Sequence, residues 1–256
     1  MTGNEFIQKI LSGERNFEGI ALQGFDLGKD KDVEDAIRKY LTSTNLGYPN
    51  CFNFDGAKLL GFSAGGLYLP HATFKGATLS DVFLARANLH YASFSEAYLR
   101  NVELSLANLS NAKFHRAILC SLSPYPLGTG TRLYSADLFN TDFERANLSY
   151  VDLAKSNLGY SNLRNAELTE VNLSSANLVN ARLDRAVLAE TSLLEANLSD
   201  ASLSETVLSR VDLRDVKELQ KTKKLERAYF YEVKLRHKDE VYLTNRLRNV
   251  KRFVTE

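Results

Sequence analysis

Ala146-Asn147-Leu148-Ser149-Tyr150-Val151-Asp152-Leu153-Ala154-Lys155-Ser156-Asn157-Leu158-Gly159-Tyr160 sets a leucine at every fifth position. A small or β-branched residue stands two places before each leucine, Asn or Asp one place before it, and two variable residues after it. The beat is unbroken from Thr131 to Asp215, with centres at Leu133, Leu138, Phe143, Leu163, Leu168, Leu183 and onward to Leu213. Residues 52–121 keep the same beat, from Phe54 to Leu119. Together the stretches hold 31 centres, 25 Leu, 5 Phe and a single Ala at Ala64, so this position must be inward.

A period of five fits neither the 3.6 of a helix nor the 2 of a flat strand. The backbone has to turn a corner once per five residues, and four corners close a coil of 20. Repetition at fixed period is the mark of a solenoid, in which each unit buries its apolar face by stacking on its neighbours. Small residues before each centre fit a narrow shaft that larger ones would over-pack. In these motifs the chain resembles the pentapeptide-repeat family, with its A-(D/N)-L-x-x consensus. The resemblance implies an all-β solenoid, a right-handed quadrilateral β-helix, here of about eight to nine coils. It is similar in layout to the cyanobacterial heterocyst-regulating branch, with an opening helix, a segment like Glu14-Arg15-Asn16-Phe17 and one interrupting loop.

The columns can be checked within the sequence. Phe54, Phe74, Phe94 and Phe114 are 20 residues apart and share one wall. Leu133 follows Leu119 by 14 positions instead of five. If nine of them, about 122–130, leave the coil as a loop, Phe143 falls beneath Phe114. The same correction aligns Asn88, Asn108, Asp137, Asn157, Asn177 and Asn197. Asn and Asp suit such positions because their side chains bond nearby backbone groups.

Outside the regular blocks, Asn4–Leu11 predicts a short amphipathic helix covering the open edge of the first coil. Residues 1–15 are therefore read as a cap and 16–215 as the β-helix, with insertions at about 28–50 and 122–130. Early centres at Phe17, Leu22 and Leu27 lie 37 residues before Phe54, Leu59 and Ala64, which implies an excursion of 17. Within it, residues 32–41 have helical spacing, acidic at the start and basic near the end. Residues 216–256 are read as a helical cap: a short helix over 217–225, an apolar plug at 228–230 and an amphipathic helix over 241–253.

Net charge is +1, and no apolar run approaches the ~20 residues of a membrane span. The start of the chain does not read as a signal peptide. Cys51 and Cys120 would lie several coils apart and are read as free thiols, which points to the cytoplasm. No cofactor or metal is expected, because the four histidines lack ligand spacing and a filled shaft offers no cleft. The chain reads as a non-enzyme, a monomeric rod that presents its walls to a protein partner. Pro124, Tyr125, Pro126 and Leu127, on the projecting loop, are the candidate contact residues. The family also implies an alternative, a DNA-mimic binder or protector of type II topoisomerase (gyrase). That needs dense negative charge, whereas residues 52–215 hold 14 basic and 17 acidic residues. A further alternative is weak nucleic-acid binding through a basic tail with Lys221, Lys223, Lys224, Arg246, Arg248 and Arg252, although no aromatic platform accompanies it.

Overall fold

The computed structural model describes residues 1–47, 49–119, 130–244 and 250–253. The leucine beat builds a β-solenoid of about eight turns. Every pairing between coils is parallel, and successive coils are offset by 20 residues, as in Asn157↔Asn177 and Leu59↔Leu79. Four walls result. We call them the phenylalanine wall (centres Phe54 to Leu203), the strand wall (Leu59 to Leu208), the third wall (Ala64 to Leu213) and the asparagine wall (Leu69 to Leu198).

Each five-residue unit has one backbone solution. The centre and the residue two before it point inward and are buried, as Leu168 and Ala166 show. The Asn or Asp before the centre accepts, through Oδ1, the backbone N–H two residues on, for example His90 N to Asn88 Oδ1 at 3.2 Å. The residue two after the centre turns the corner in the left-handed region, with φ of 56° at Arg116 and 62° at Glu96. Few side chains accept that conformation without cost. Here the inter-coil hydrogen bonds on either side impose it, and Gly56, Gly61, Gly66 and Gly76 relieve it in the first coils.

The register deduced from the phenylalanines holds. Ring centroids lie 5.0 Å apart for Phe54–Phe74, 4.7 Å for Phe74–Phe94 and 4.8 Å for Phe94–Phe114. Phe114 stacks on Phe143 at 5.0 Å, and Ile118 pairs with Asn147, so the coil resumes nine residues late without losing a wall. Phe17 heads the column at 5.5 Å from Phe54. The pairings Leu22↔Leu59 and Asp26↔Ser63 carry the 37-residue offset of the first insertion.

Among the described residues, the extended strands all lie on the strand wall. They are β1 (Ala21–Gln23), β2 (Lys58–Leu60), β3 (Thr78–Ser80) and β4 (Tyr98–Arg100), then β5 (Val187–Ala189), β6 (Val207–Ser209), β7 (Tyr229–Val233) and β8 (Val250–Phe253). Helix α1 (Gly3–Leu11) has a capping box between Thr2 and Glu5 and closes the first coil. Its Phe6 ring meets Phe17 at 4.9 Å and Phe25 at 5.4 Å. Helix α2 (Lys31–Ser43) starts where Asp30 accepts from the N–H groups of Asp32 and Val33. It buries Ile37 and Leu41, and Arg38 donates to the Gly65 carbonyl at 2.6 Å.

At the C-terminal end the structure corrects the helical reading. Residues 217–225 form no α-helix; short 3-10 helices at Leu219–Lys221 and Leu225–Arg227 each add one residue at a corner. The offset accordingly grows from Asn197↔Lys217 through Ser202↔Lys223 to Val207↔Tyr229, while Leu219 and Leu225 still point inward. Ala228 and Phe230 are buried in the shaft as an apolar plug would be, but Tyr229 and Phe230 open β7, which continues the strand wall. The helix predicted over 241–253 is a shorter α3 (His237–Thr244), followed by β8 paired with β7. Buried Asp239 ties this end together, accepting from Arg236 Nε at 2.8 Å and Gln220 Nε2 at 3.1 Å.

Hydroxyls at the inward small position are satisfied by carbonyls, as for Thr131 on Leu99 at 3.0 Å and Thr206 on Leu183 at 2.7 Å. Among the described residues, Ser161 Oγ alone is buried without a partner. An unmade hydrogen bond in a dry interior is costly. Ser161→Ala, the commonest choice at this position, is expected to stabilise the fold by up to about 1 kcal/mol, read as a higher Tm in thermal denaturation.

Candidate interaction surfaces

With two of every five side chains sealed inside, function is left to the outward positions on four walls, the ends and the insertions. The walls differ sharply in chemistry. Over the seven coils from Phe74 to Leu203, the phenylalanine wall presents seven basic and five acidic side chains among 21 outward positions. The asparagine wall, over seven coils from Leu69 to Leu198, presents no Lys or Arg and only two carboxylates, Asp137 and Asp200. Its Asn column forms a ladder, with Asn157 Nδ2 donating to Asp137 Oδ1 and Asn177 Nδ2 to Asn157 Oδ1, both at 3.0 Å. Tyr91, Phe139 and Tyr160 project from it.

Among the recesses of the described residues, three bear on these walls. The first, about 710 Å³, is a groove on the strand wall between Tyr98, Ile118, Thr78 and Asn147. It opens beside Leu119, the last centre before the 122–130 insertion. A second, about 630 Å³, runs between α2 and the third wall past Arg38, Phe83, Glu103 and Leu106. Ala64 and Gly65 make room for it, because a Cβ on Gly65 would come within 2.6 Å of the Phe83 ring. The third, about 690 Å³, lies at the C-terminal end beside Leu194 and Arg236. None brings together a nucleophile, a base and a group orienting it among the described residues.

One mixed cluster does form on the phenylalanine wall. His115, Asp142 and Glu144 bring one ligand atom each within 4.8 Å of one another. Asp142 Oδ1 already accepts from Glu144 N and Asn162 Nδ2, both at 3.0 Å. The register also stacks Lys113 on Asp142, so these carboxylates lie in a field of cations that disfavours a further positive ion.

Of the sequence-predicted residues, Phe54, Phe74, Phe94, Phe114, Phe143, Leu163, Leu168 and Leu183 are all buried centres. Pro124, Tyr125, Pro126 and Leu127 lie outside the described residues, as do Arg246, Arg248 and Cys120. Arg252 is a position of β8. The rest of the basic tail is not a free patch. Lys221 pairs with Glu218 at 3.0 Å and Lys223 with Asp200 at 3.2 Å, while Lys224 turns a corner. Cys51 is a free thiol, and no helix among the described residues is long and apolar enough to cross a membrane. Sequence reasoning missed the segregation of charge between walls, although reading the outward columns at intervals of 20 would have found it.

The family model described as "Pentapeptide repeats" matches in eight copies over residues 68–105, 87–121, 146–185 and 181–217. The chain is a pentapeptide-repeat protein. Among solved structures it is similar to HetL, a pentapeptide-repeat protein involved in heterocyst differentiation regulation from the cyanobacterium Nostoc sp. strain PCC 7120. That match is 28% identical, covers 89% of this chain and 96% of HetL, and has a TM-score of 0.36. QnrB1, a plasmid-mediated fluoroquinolone resistance protein, is 14% identical over 90% of this chain and 98% of its own, with a TM-score of 0.48. Rfr23 from the cyanobacterium Cyanothece 51142 is 23% identical over 68% and 96%, with a TM-score of 0.32. No curated protein sequence matches the chain.

Glu103, lining the recess beneath α2, couples coils across the 122–130 insertion. Burial pushes its carboxyl pKa up, but hydrogen bonds from Ser105 and from Arg132 Nη1, at 2.9 Å, outweigh this and hold it below the usual value. A depressed carboxylate pKa contributes stability that is present above the unfolded pKa and lost as pH falls through the folded one. Glu103→Gln is expected to lower stability at neutral pH by less than about 1 kcal/mol. Denaturant titrations at several pH values should show that deficit closing as pH falls below about 4.

Proposed function

We propose that this protein is a non-catalytic docking scaffold that holds a regulatory protein partner on its strand wall, beside the 122–130 insertion. One observation carries the reading: the 710 Å³ groove lies on the wall from which that insertion leaves the coil. Its rim combines an exposed tyrosine, Tyr98, with Ile118 and Arg100, residue types that dominate binding at protein interfaces. Pro124, Tyr125, Pro126 and Leu127 would extend the same contact. The rod beneath is rigid because every coil is bonded to the next, so little ordering entropy opposes association. The free thiol of Cys51 supports a reducing, cytoplasmic setting.

The charge pattern argues against the DNA-mimic alternative, since imitation of phosphates needs dense rows of carboxylates and the most charged wall leans basic. Pairing of Lys221 and Lys223 with carboxylates likewise argues against nucleic-acid binding through the tail.

Photo-crosslinking from position 98 or 118 in the native host is the test. A specific protein adduct is expected from both positions, reduced at least about tenfold when 122–130 is deleted. Equal adduct formation from Leu194, on the third wall, or no adduct from 98 and 118, would exclude the strand wall as the docking surface.

A further inference from the structure

A wall with no Lys or Arg and only two carboxylates is unusual on a chain of which 25% of residues are Asp, Glu, Lys or Arg. The asparagine wall has a second property: over the four coils from Leu89 to Leu158 its corner column reads alike in both directions. Four successive corners are Tyr91, Asn111, Asn140 and Tyr160, a palindrome centred between the coils of Leu109 and Leu138. The column beside it alternates bulk with space about the same centre. His90 is matched by Gly159, and Ser110 by Phe139.

We propose that the asparagine wall is an interface between two copies of this chain, packed face to face about a two-fold axis. The axis runs along the strands between the coils of Leu109 and Leu138, so it reverses coil order and lays each column on itself. Tyr91 then meets the partner's Tyr160, and Asn111 meets the partner's Asn140. The Phe139 ring, 41% exposed, meets the partner's Ser110, which is buried between coils. His90 meets the partner's Gly159. Within the overlap the lone carboxylate, Asp137, faces the partner's Asn108, whose amide can donate to it.

An isologous contact needs one patch that complements itself. A net charge on such a wall would be doubled across the contact, and within the overlap this wall carries only Asp137. Drying it is also inexpensive, because its amides already bond one another: Asn140 Nδ2 donates to Asn111 Oδ1 at 2.9 Å. A different protein as occupant would place no requirement on the wall to be palindromic. This departs from the monomer that the sequence suggests, and it leaves the groove on the strand wall free. Six overlapping coils span only ~30 Å, a small contact of the kind that associates weakly and reversibly.

Sedimentation equilibrium of the full chain tests the proposal. The mass of the wild type is expected to rise from 28.7 kDa towards twice that value across tens of micromolar protein. Tyr91→Arg and Tyr160→Glu should each weaken association at least about tenfold. Corners of the same φ elsewhere hold Arg86 and Glu96, so the backbone accepts both changes. The double variant should recover dimerisation, because the axis sets the two substituted positions against each other. If either tyrosine change lowers the melting temperature, Asn140→Arg is the second variant, with the same weakening expected. A single-chain mass up to about 200 μM protein, self-association indifferent to the single variants, or a double variant as weak as the singles overturns the proposal.

Discussion

Everything in this molecule depends on the width of the shaft. Each wall contributes one large apolar side chain and one small residue per coil, and the four pairs fill the cross-section. Phe or Leu at the centre with Ala two places before it is therefore close to the only composition that packs without a void or a clash. Where one member changes, its neighbours change with it: Ala64 is a small centre beside the large inward side chains Phe62 and Leu67, all three buried. The cost of this economy falls on the corners, where ordinary side chains such as Tyr160 and Glu190 are held at φ of 60° and 54°. Parallel hydrogen bonds to the coils above and below fix that geometry.

That constraint explains what could be read without coordinates. The centres are legible because burial admits only Leu, Phe or Ala, and the loop at 122–130 because it must contain 14 − 5 residues if Phe143 is to lie under Phe114. The left-handed corners leave no signature, since almost any residue is forced into them; glycine marks only the first few. The C-terminal end misled for a related reason. Two extra residues at the corners, next to Leu219 and Leu225, break the five-residue beat in the sequence without breaking the wall in space. Tyr229-Phe230-Tyr231 then alternates as a strand does, which the lost beat concealed.

The candidate sites were less legible, because outward positions are free of packing constraints and their chemistry emerges only when columns are assembled. Assembled, they divide the labour among walls. The phenylalanine wall carries more charge than any other, in compensated rows such as Arg185 above Glu205 at 2.9 Å. The strand wall offers an apolar groove at the point where the insertion departs, and the asparagine wall is nearly free of charge, its amides bonded to one another. A solenoid can hold such distinct surfaces on one thin rod because each wall is an independent column of the repeat.

The central claim, that the nine-residue detour preserves the alignment of every later side chain, is tested most directly by two deletions compared in thermal denaturation. Removal of residues 122–130 keeps the beat, and the account predicts cooperative melting close to that of the parent chain. Removal of residues 122–131 also takes Thr131, whose hydroxyl bonds the Leu99 carbonyl, and leaves four residues where a wall needs five, so Leu119 and Leu133 cannot both seat inward without strain; this deletion should melt well below the first. Equal melting of the two deletions would contradict the account.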